Sequence, residues 1–590
     1  MMKKILLSTL LILMITLVCS CSKKTIKDGT ITEIIVELKD GGTGYTWLEE
    51  AGARFSELKK DSSYADGKLG VKVTVVPSEN PSLSSAETSG TCIYDLWNVT
   101  NLESFANSGK IVSIDEMMRM KSDTRLNQPI SIDDKIDEVN KSKYQVNGKY
   151  YGAPTCEYYP SLSYDVNLFD RYGYYLANEE NGRSFDSTIL DETYYFIEIG
   201  DDSNKSCGPD GEFNTQDDGL PSSIKELIAL CEFMKSEDVS PLSFTGQYRY
   251  YSNFLPTAIM VALQGYDRSL AMTNFAGKAE VVIGESDEPL YPGCTYINKP
   301  ITKIVDLTEE NGYLTTWGIE KYYALAFEEI AYSEGWFGRC TTTQKSQLDS
   351  IQNFIFSDFS SKYEKIGIHI DGSYWYNEGK IHDYFKQYEN MSQLTGFEER
   401  KLAYMSLPVN IDEPVTEGNG KGQTITDMAY GMFVINGNLK DNPELLNASL
   451  DFLMFLESDS ELSKYSSNTS IRRSLNYELT QSDKSELSYY GKNLFDLLNN
   501  ESTHVVYLAG NNNTFKYNPE TFVLGWTNAY FRFGSQSQSY YDARERRYTT
   551  DMYTAFKKQA ITKTVWKGMY QGANASTFDT LVQDYPEALN

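Results

Sequence analysis

Runs rich in β-branched residues at Thr32–Leu38 ("TEIIVEL") and Val71–Pro77 ("VKVTVVP") predict two strands. Between them Leu48, Ala51, Phe55 and Leu58 recur at helical spacing. Cys92–Val99 ("CIYDLWNV") predicts a third strand, followed by a short helix from Leu102 that stops near Gly109. Strand–helix alternation calls for an α/β fold, a parallel sheet covered by helices on both faces. Ligands of such sheets sit beyond the carboxyl ends of the strands, so 41–47 and 97–101 should share a rim. Farther on, Ser223 and Glu226 have the spacing of a capping box ahead of Ile224, Leu227, Ile228, Cys231 and Met234. Asn442 and Pro443 predict a helix start that buries Leu446, Leu450, Leu453 and Met454. The last hundred residues alternate helical stretches with polar, Tyr-rich loops, and the chain has no internal repeat.

One stretch resists this pattern. "IDGSYWYNEG" (370–379) sets Tyr374, Trp375 and Tyr376 side by side. Strand alternation cannot turn three adjacent rings into one core. An outward ring either packs on the protein's own loops or offers a flat apolar face to a ligand such as a sugar.

Composition narrows the partner. A net charge of −28 argues against nucleic acid, and 44 tyrosines in 590 residues exceed what core packing asks for. The length calls for two or more lobes. Cys92, Cys156, Cys207, Cys231, Cys294 and Cys340 include no C-x-x-C pair, so zinc is not expected, and their disulfide state is open. Only His369, His382 and His504 are present, too few for most histidine-based sites.

The first residues set the address. Lys3 and Lys4 precede the apolar run Ile5–Val18, too short for a membrane span. Val18-Cys19-Ser20-Cys21 resembles the bacterial lipobox, which implies a signal peptide over 1–20 and lipidation of Cys21. Residues 21–30 then read as a polar tether. The mature chain is expected outside a Gram-positive cell membrane, held there by its lipid.

The order of motifs resembles that of the sugar-binding lipoproteins of ATP-binding-cassette importers, the group of maltose-binding protein. The fragments that carry the likeness are "GGTGYTWLEEAGARF" (41–55), "YDLWNVTNLESFANSGKIVSIDEM" (94–117) and "YYGAPTCEYYPSLSYDVNLFDRYG" (150–173), the last with Asp165 where the family has Asn. They continue with "LPSSIKEL" (220–227), "IGIHIDGSYWYNEG" (366–379), "YMSLPV" (404–409) and "YGMFVINGNLKDNPELLNASLDFLMFL" (430–456). A long insertion after Gly173 and the stretches 265–365 and 480–550 depart from the family and imply an enlarged second lobe. The resemblance implies a two-lobed fold with a hinge and a central cleft, the chain crossing near Cys156, Leu407 and Ser470. The first lobe would be 31–156 with 408–470, and the second 157–407 with 471–590. It further implies a monomer that delivers its ligand to permease subunits.

On that likeness Tyr374 is the aromatic that stacks on the sugar, Trp375 a second one, and Tyr158 a contact from the crossing segment. Glu157 could accept from two hydroxyls, or be a surface charge. Tyr45 and Trp47 follow a glycine run; Asn98, Thr100 and Asn101 follow the third strand, and their amides and hydroxyl suit a polyol. Either Trp97 or Asn98 faces the cleft. Gly431 and Met432 are expected on its floor, and Trp526 is a further candidate. In "CGPDGEFNTQDDG" (207–219), Asp210, Asn214, Asp217 and Asp218 crowd oxygens into a glycine-turned loop without EF-hand spacing. Similar loops in clostridial members of the family imply structural Ca2+; a self-bonded Asx loop is the alternative.

The expected function is capture of an oligosaccharide without covalent chemistry. A surface glycan-binding lipoprotein not coupled to an importer would show helical repeats, which the first strands contradict. A peptide-binding relative would need a charged anchor for peptide termini. A glycoside-hydrolysing enzyme would need two carboxylates at a set separation, a condition that a chain this acidic meets on paper anywhere.

Overall fold

The computed structural model describes residues 30–83, 90–99, 101–121, 123–125, 128–179, 181–343, 345–393, 399–427, 429–507 and 552–559. The signal segment, Cys21, nearly all of the tether, Thr100 and Trp526 lie outside the described residues.

Two sheets organise the molecule. The first has the strand order Val71–Ser78, Thr32–Lys39, Ile93–Trp97, Ala429–Ile435, Ala153–Tyr158. Thr32–Lys39 buries every second residue, with Ile34, Val36 and Leu38 turned to the core. It pairs in parallel with both neighbours, as the alternation predicts. Ala429–Ile435 differs: it runs antiparallel to Ile93–Trp97 and to Ala153–Tyr158. This strand returns from the other lobe late in the chain and so enters the sheet from its carboxyl edge.

The second sheet has the order Ser240–Ser243, Ile366–Gly372, Pro160–Asp165, Leu402–Tyr404. Pro160–Asp165 is antiparallel to both its partners, pairing Leu162 with Ile370 and Tyr164 with Ala403. Tyr158 closes the last strand of the first sheet and Pro160 opens this one, so the chain crosses between lobes through Tyr159 alone. It returns between Tyr404 and Ala429. The return lies later than expected, because 408–422 packs on the second lobe: Ile224 N donates to Asn410 O (3.0 Å) and Val415 N to Ser222 Oγ (2.8 Å). A third passage joins the helix Asp459–Thr469, packed on Thr46–Leu58, to the helix Tyr489–Asn499, packed on Leu402–Tyr404. A short parallel ribbon, Thr424–Thr426 with His504–Val506, ties two of these passages together.

Local signals explain the helix starts. Glu226 N donates to Ser223 Oγ (3.2 Å) and Ser223 N to Glu226 Oε2 (3.1 Å), the reciprocal box that the spacing predicts. Asn442 Oδ1 accepts from Leu445 N (3.3 Å) with Pro443 next to it. The helix Pro443–Leu456 nevertheless buries Ala448, Phe452, Leu453 and Leu456, while Leu446, Leu450 and Met454 are half-buried. Apolar residues nearly encircle this helix, so the sheet beneath it decides which face turns inward. The second lobe is enlarged by the helices Phe254–Asn274 and Ile319–Ser333 and the long hairpin Lys278–Tyr291/Cys294–Asp306. Each lobe has its own core, and a third, smaller one surrounds Trp375. The six described cysteines are buried and none forms a disulfide. Among the described residues no helix is long and apolar enough to cross a membrane.

Asp165 holds the joint of the second sheet. Its carboxylate caps the helix Val166–Tyr172 through Leu168 N (3.0 Å) and pairs in bidentate fashion with buried Arg400. Asp165→Ala is expected to cost about 3–5 kcal/mol in chemical unfolding, because Arg400 is left buried without its counter-charge. A loss of only about 1 kcal/mol would reduce the residue to a helix cap.

Candidate functional site

The carboxyl edges of the two sheets face each other. From the first come the loop 40–45, Trp97 and Tyr158; from the second come Gly372 and Tyr374, at the end of Ile366–Gly372. Three rings meet there. Trp97 and Tyr158 lie 5.2 Å apart at 59°, and Tyr158 meets Tyr374 edge-on at 4.9 Å. The Tyr374 hydroxyl lies 3.2 Å from that of Tyr251, which sequence reading missed. Trp97 is held by its own indole N–H, which donates to Asp95 Oδ2 (2.9 Å). Thr155 Oγ1 donates to the other Asp95 oxygen (2.8 Å), and burial pushes this carboxyl up to about 6.

The first-lobe loop reaches these rings because residue 42 is glycine. Its φ is +50°, and a Cβ there would stand 2.9 Å from the Tyr158 hydroxyl and 3.3 Å from Tyr374 Cβ. The helix Trp375–Ile381 grips the loop from the other side: Asn377 Nδ2 donates to Gly42 O (2.8 Å), and Glu378 Oε1 accepts from Gly42 N (3.2 Å). Asn377 and Glu378 stand inside the "GSYWYNEG" stretch, but only the start of this helix turns them toward the other lobe. Glu378 Oε2 is buried at this junction with no hydrogen-bond partner among the described residues, while the Tyr158 hydroxyl is shared between Thr43 and Cys156.

Several expected contacts are placed elsewhere. Trp375 is fully buried in the second lobe, donating to Ser163 Oγ (2.9 Å) and packed on Phe354, His369 and Tyr490. The strand ends at Gly372 and a helix begins at Trp375, so the three adjacent rings fan out by helical rotation. Tyr374 goes to the cleft, Trp375 to the core, and Tyr376 stacks on Tyr490 at 5.0 Å. Trp47 is a first-lobe core residue; its indole donates to Gly44 O (3.1 Å), and Tyr465 and the Arg473 guanidinium cover its faces. Trp97, not Asn98, turns to the ring cluster. Asn98 takes a left-handed φ of +50° and uses its backbone N–H and side-chain oxygen on Tyr430, ending the strand pairing at an exposed position. Asn101 is exposed ahead of the helix Leu102–Asn107, and Tyr45 is exposed ahead of Thr46–Leu58. Gly431 lies on the sheet floor, where a Cβ would meet Thr155 Oγ1 at 2.2 Å and Trp97 Cδ1 at 3.1 Å. Met432, next to it, is fully buried in the first-lobe core.

Glu157 faces away from the cluster, because neighbours of Tyr158 on one strand point to the opposite face. It lies 3.4 Å from Lys143 Nζ and accepts from the Tyr159 hydroxyl (2.8 Å). Glu157 and Tyr159 line a different space, a 390 Å3 cavity behind the crossing that also meets Arg472, Tyr266, His504 and Tyr507.

In the loop 207–219 the carboxylates serve their own backbone. Asp217 Oδ2 accepts from Asp210 N (3.0 Å), Asp210 Oδ1 from Glu212 N (2.8 Å), and Asp218 from the N–H groups of Asn214 and Thr215. Burial and the neighbouring Asp210 push Asp217 up to about 7. Among the described residues no three His, Cys, Asp or Glu side chains converge closely enough to hold an ion.

Neither a family model nor a curated protein matches the sequence. Solved structures similar to it include sugar-binding proteins, at low identity. A chitin oligosaccharide binding protein aligns over 91% of this chain and 100% of its own, with 10% identity and a TM-score of 0.47. Maltose-bound MalE3 of T. maritima aligns over 90% and 98%, at 12% identity and a TM-score of 0.48. The cyclic alpha-maltosyl-1,6-maltose binding protein of Arthrobacter globiformis aligns over 93% and 100%, at 11% identity and a TM-score of 0.44. The two lobes of this chain are evident from its own strand order, independently of these likenesses.

The placements predict different phenotypes for adjacent rings. Trp375→Ala should cost about 3–5 kcal/mol in chemical denaturation, the cost of emptying a core site. Trp97→Ala removes a half-buried ring at the cleft edge and should cost clearly less. Equal losses would contradict the assignment of Trp375 to the core and Trp97 to the cleft.

Proposed function

We propose that this chain is a lipid-anchored solute-binding protein that captures a neutral carbohydrate, an oligosaccharide, between its lobes. It delivers this ligand to the permease of an ATP-binding-cassette importer and performs no covalent chemistry. The observation that carries the reading is the cluster of three rings where two carboxyl edges meet, with one buried polar atom beside it, Glu378 Oε2, that has no partner among the described residues. Such an atom costs about 1–3 kcal/mol while it lacks a partner. A sugar supplies a hydroxyl to pair with Glu378 Oε2 and C–H faces to lie on Tyr374, Tyr158 or Trp97. Capture requires the lobes to part and close again, a hinge motion about the crossings at Tyr159 and 405–428. The lipobox-like segment ending at Cys21 supports the anchor, and a tether raises the effective concentration of binder beside its permease.

Calcium is a separate proposal for the loop 207–219. Asp210 raises Asp217, and a divalent cation would relieve that repulsion once the carboxylates leave the backbone amides they accept from. Because Asp217 must ionise to bind it, affinity should rise as pH passes upward through about 7.

A thermal-shift screen of the mature chain against mono- and oligosaccharides, each with calcium or with chelator, tests both. At a hundred times its Kd a sugar should add about 2.7 kcal/mol, lost in Tyr374→Ala, and the sugar should be recovered uncleaved. Calcium alone should raise Tm. Silence across sugars with a response to peptides would overturn the substrate class, and a Tm indifferent to chelator would leave the loop self-bonded.

A further inference from the structure

The grip of one lobe on the other centres on a carboxyl group. Helix Trp375–Ile381 touches the first lobe through four side chains. Asn377 and Glu378 hold the two polar groups of Gly42, as described. Ile381 lies where a Cβ on Gly44 would come within 2.6 Å, and Lys380 Nζ donates to Asn468 O (2.6 Å). Of the four, only Glu378 brings an acidic group into the junction. Its Oε1 is engaged by the Gly42 amide, and its Oε2 has no partner among the described residues.

Among the described residues no cation compensates this group. The charged neighbour that acts on it is Asp371, at the end of the strand below, itself 3.4 Å from His369 Nε2. On its own helix Lys380 is turned away to Asn468, and His382 and Asp383 beyond the helix make no ion pair with it. From the first lobe the loop presents the Gly42 amide. Lys39, at the foot of that loop, donates to Glu79 O and lies over the Trp97 ring. Asp40 and Tyr45 make no hydrogen bond to it, and the Tyr158 and Tyr374 phenols are neutral. An anion enclosed beside another carboxylate, with one amide as donor, is unfavourable.

We propose that Glu378 is a proton-gated clasp: the lobes close with its carboxyl protonated and part when it ionises. With the lobes apart the group is in water and is a carboxylate at neutral pH; on closing it takes one proton from solvent. Oε1 then still accepts from Gly42, and the Oε2–H becomes a donor for a solute oxygen. Burial first, and Asp371 second, push the group up to about 8 in the closed arrangement. A raised value means that closure is favoured below that pH and lost as pH climbs through it, as linkage requires. The clasp explains how capture would be released at alkaline pH and rests on the capture reading for its purpose. The closing itself needs no solute.

Small-angle X-ray scattering of the ligand-free mature chain between pH 6 and 9.5 therefore tests it apart from any sugar. Between the ordinary carboxyl range and about 8 the open-to-closed ratio should grow about tenfold per pH unit and level off above, so the wild-type chain should expand between pH 6 and about 8 and change no further up to 9.5. Glu378→Gln, which carries the uncharged form permanently, should lose this transition. Asp371→Asn should move the midpoint to lower pH, because the neighbouring carboxylate that raises Glu378 is removed; an unmoved or raised midpoint would count against the clasp. A wild-type radius that does not change over this range, or a transition that persists unaltered in Glu378→Gln, would overturn the proposal. A failed sugar screen alone would leave it standing.

Discussion

Only Tyr159 separates the last strand of one sheet from the first strand of the other, and the rest of the site follows from that short crossing. A strand turns alternate residues to opposite faces. With Tyr158 in the junction of the two carboxyl edges, Glu157 and Tyr159 must face behind it. One face therefore carries the ring cluster and the other the 390 Å3 cavity with Glu157, Tyr159 and Arg472 around it. Any rotation of one lobe against the other bends this crossing and changes both spaces together. Closing the front would draw Tyr374 toward Gly42 and Tyr158, and opening it would part them.

The front junction is built for close approach. Glycine at 42 lets backbone touch the Tyr158 and Tyr374 rings, and a polar helix face then engages both of its peptide groups. Such a contact fixes the lobes in one relative pose without a large apolar interface, which would hold them too firmly for capture and release. It also leaves one polar atom, Glu378 Oε2, short of a partner among the described residues, a cost that a hydroxyl-bearing solute can offset.

Much of this was legible in the residues. The opening strands and helices, the capping box at Ser223, the helix start at Asn442 and the shared rim of 41–47 with Trp97 follow from local rules. The antiparallel strand Ala429–Ile435 does not, because its sheet partners lie hundreds of residues earlier and its direction is set by a return from the other lobe. The buried face of Pro443–Leu456 was misread because its apolar residues leave no clear stripe. Naming Glu157 and Tyr158 for one site overlooked the period of two, an error the sequence itself could have corrected. The fate of Trp375 turned on one residue, the start of a helix after Gly372, and helix boundaries are where sequence reading is weakest. Glu378 and Tyr251 carried no signal of their own; only the folded junction brings them to Tyr374.

The central claim is that the solute lies in front of the crossing, among Trp97, Tyr158 and Tyr374. A crystal structure of the mature chain with the sugar that gives the largest melting shift tests it most directly. The account predicts sugar density against those rings, with a ligand atom within hydrogen-bond distance of Tyr158 Oη or Glu378. Sugar bound instead in the cavity behind the crossing, against Tyr266, His504 and Glu157, would contradict it.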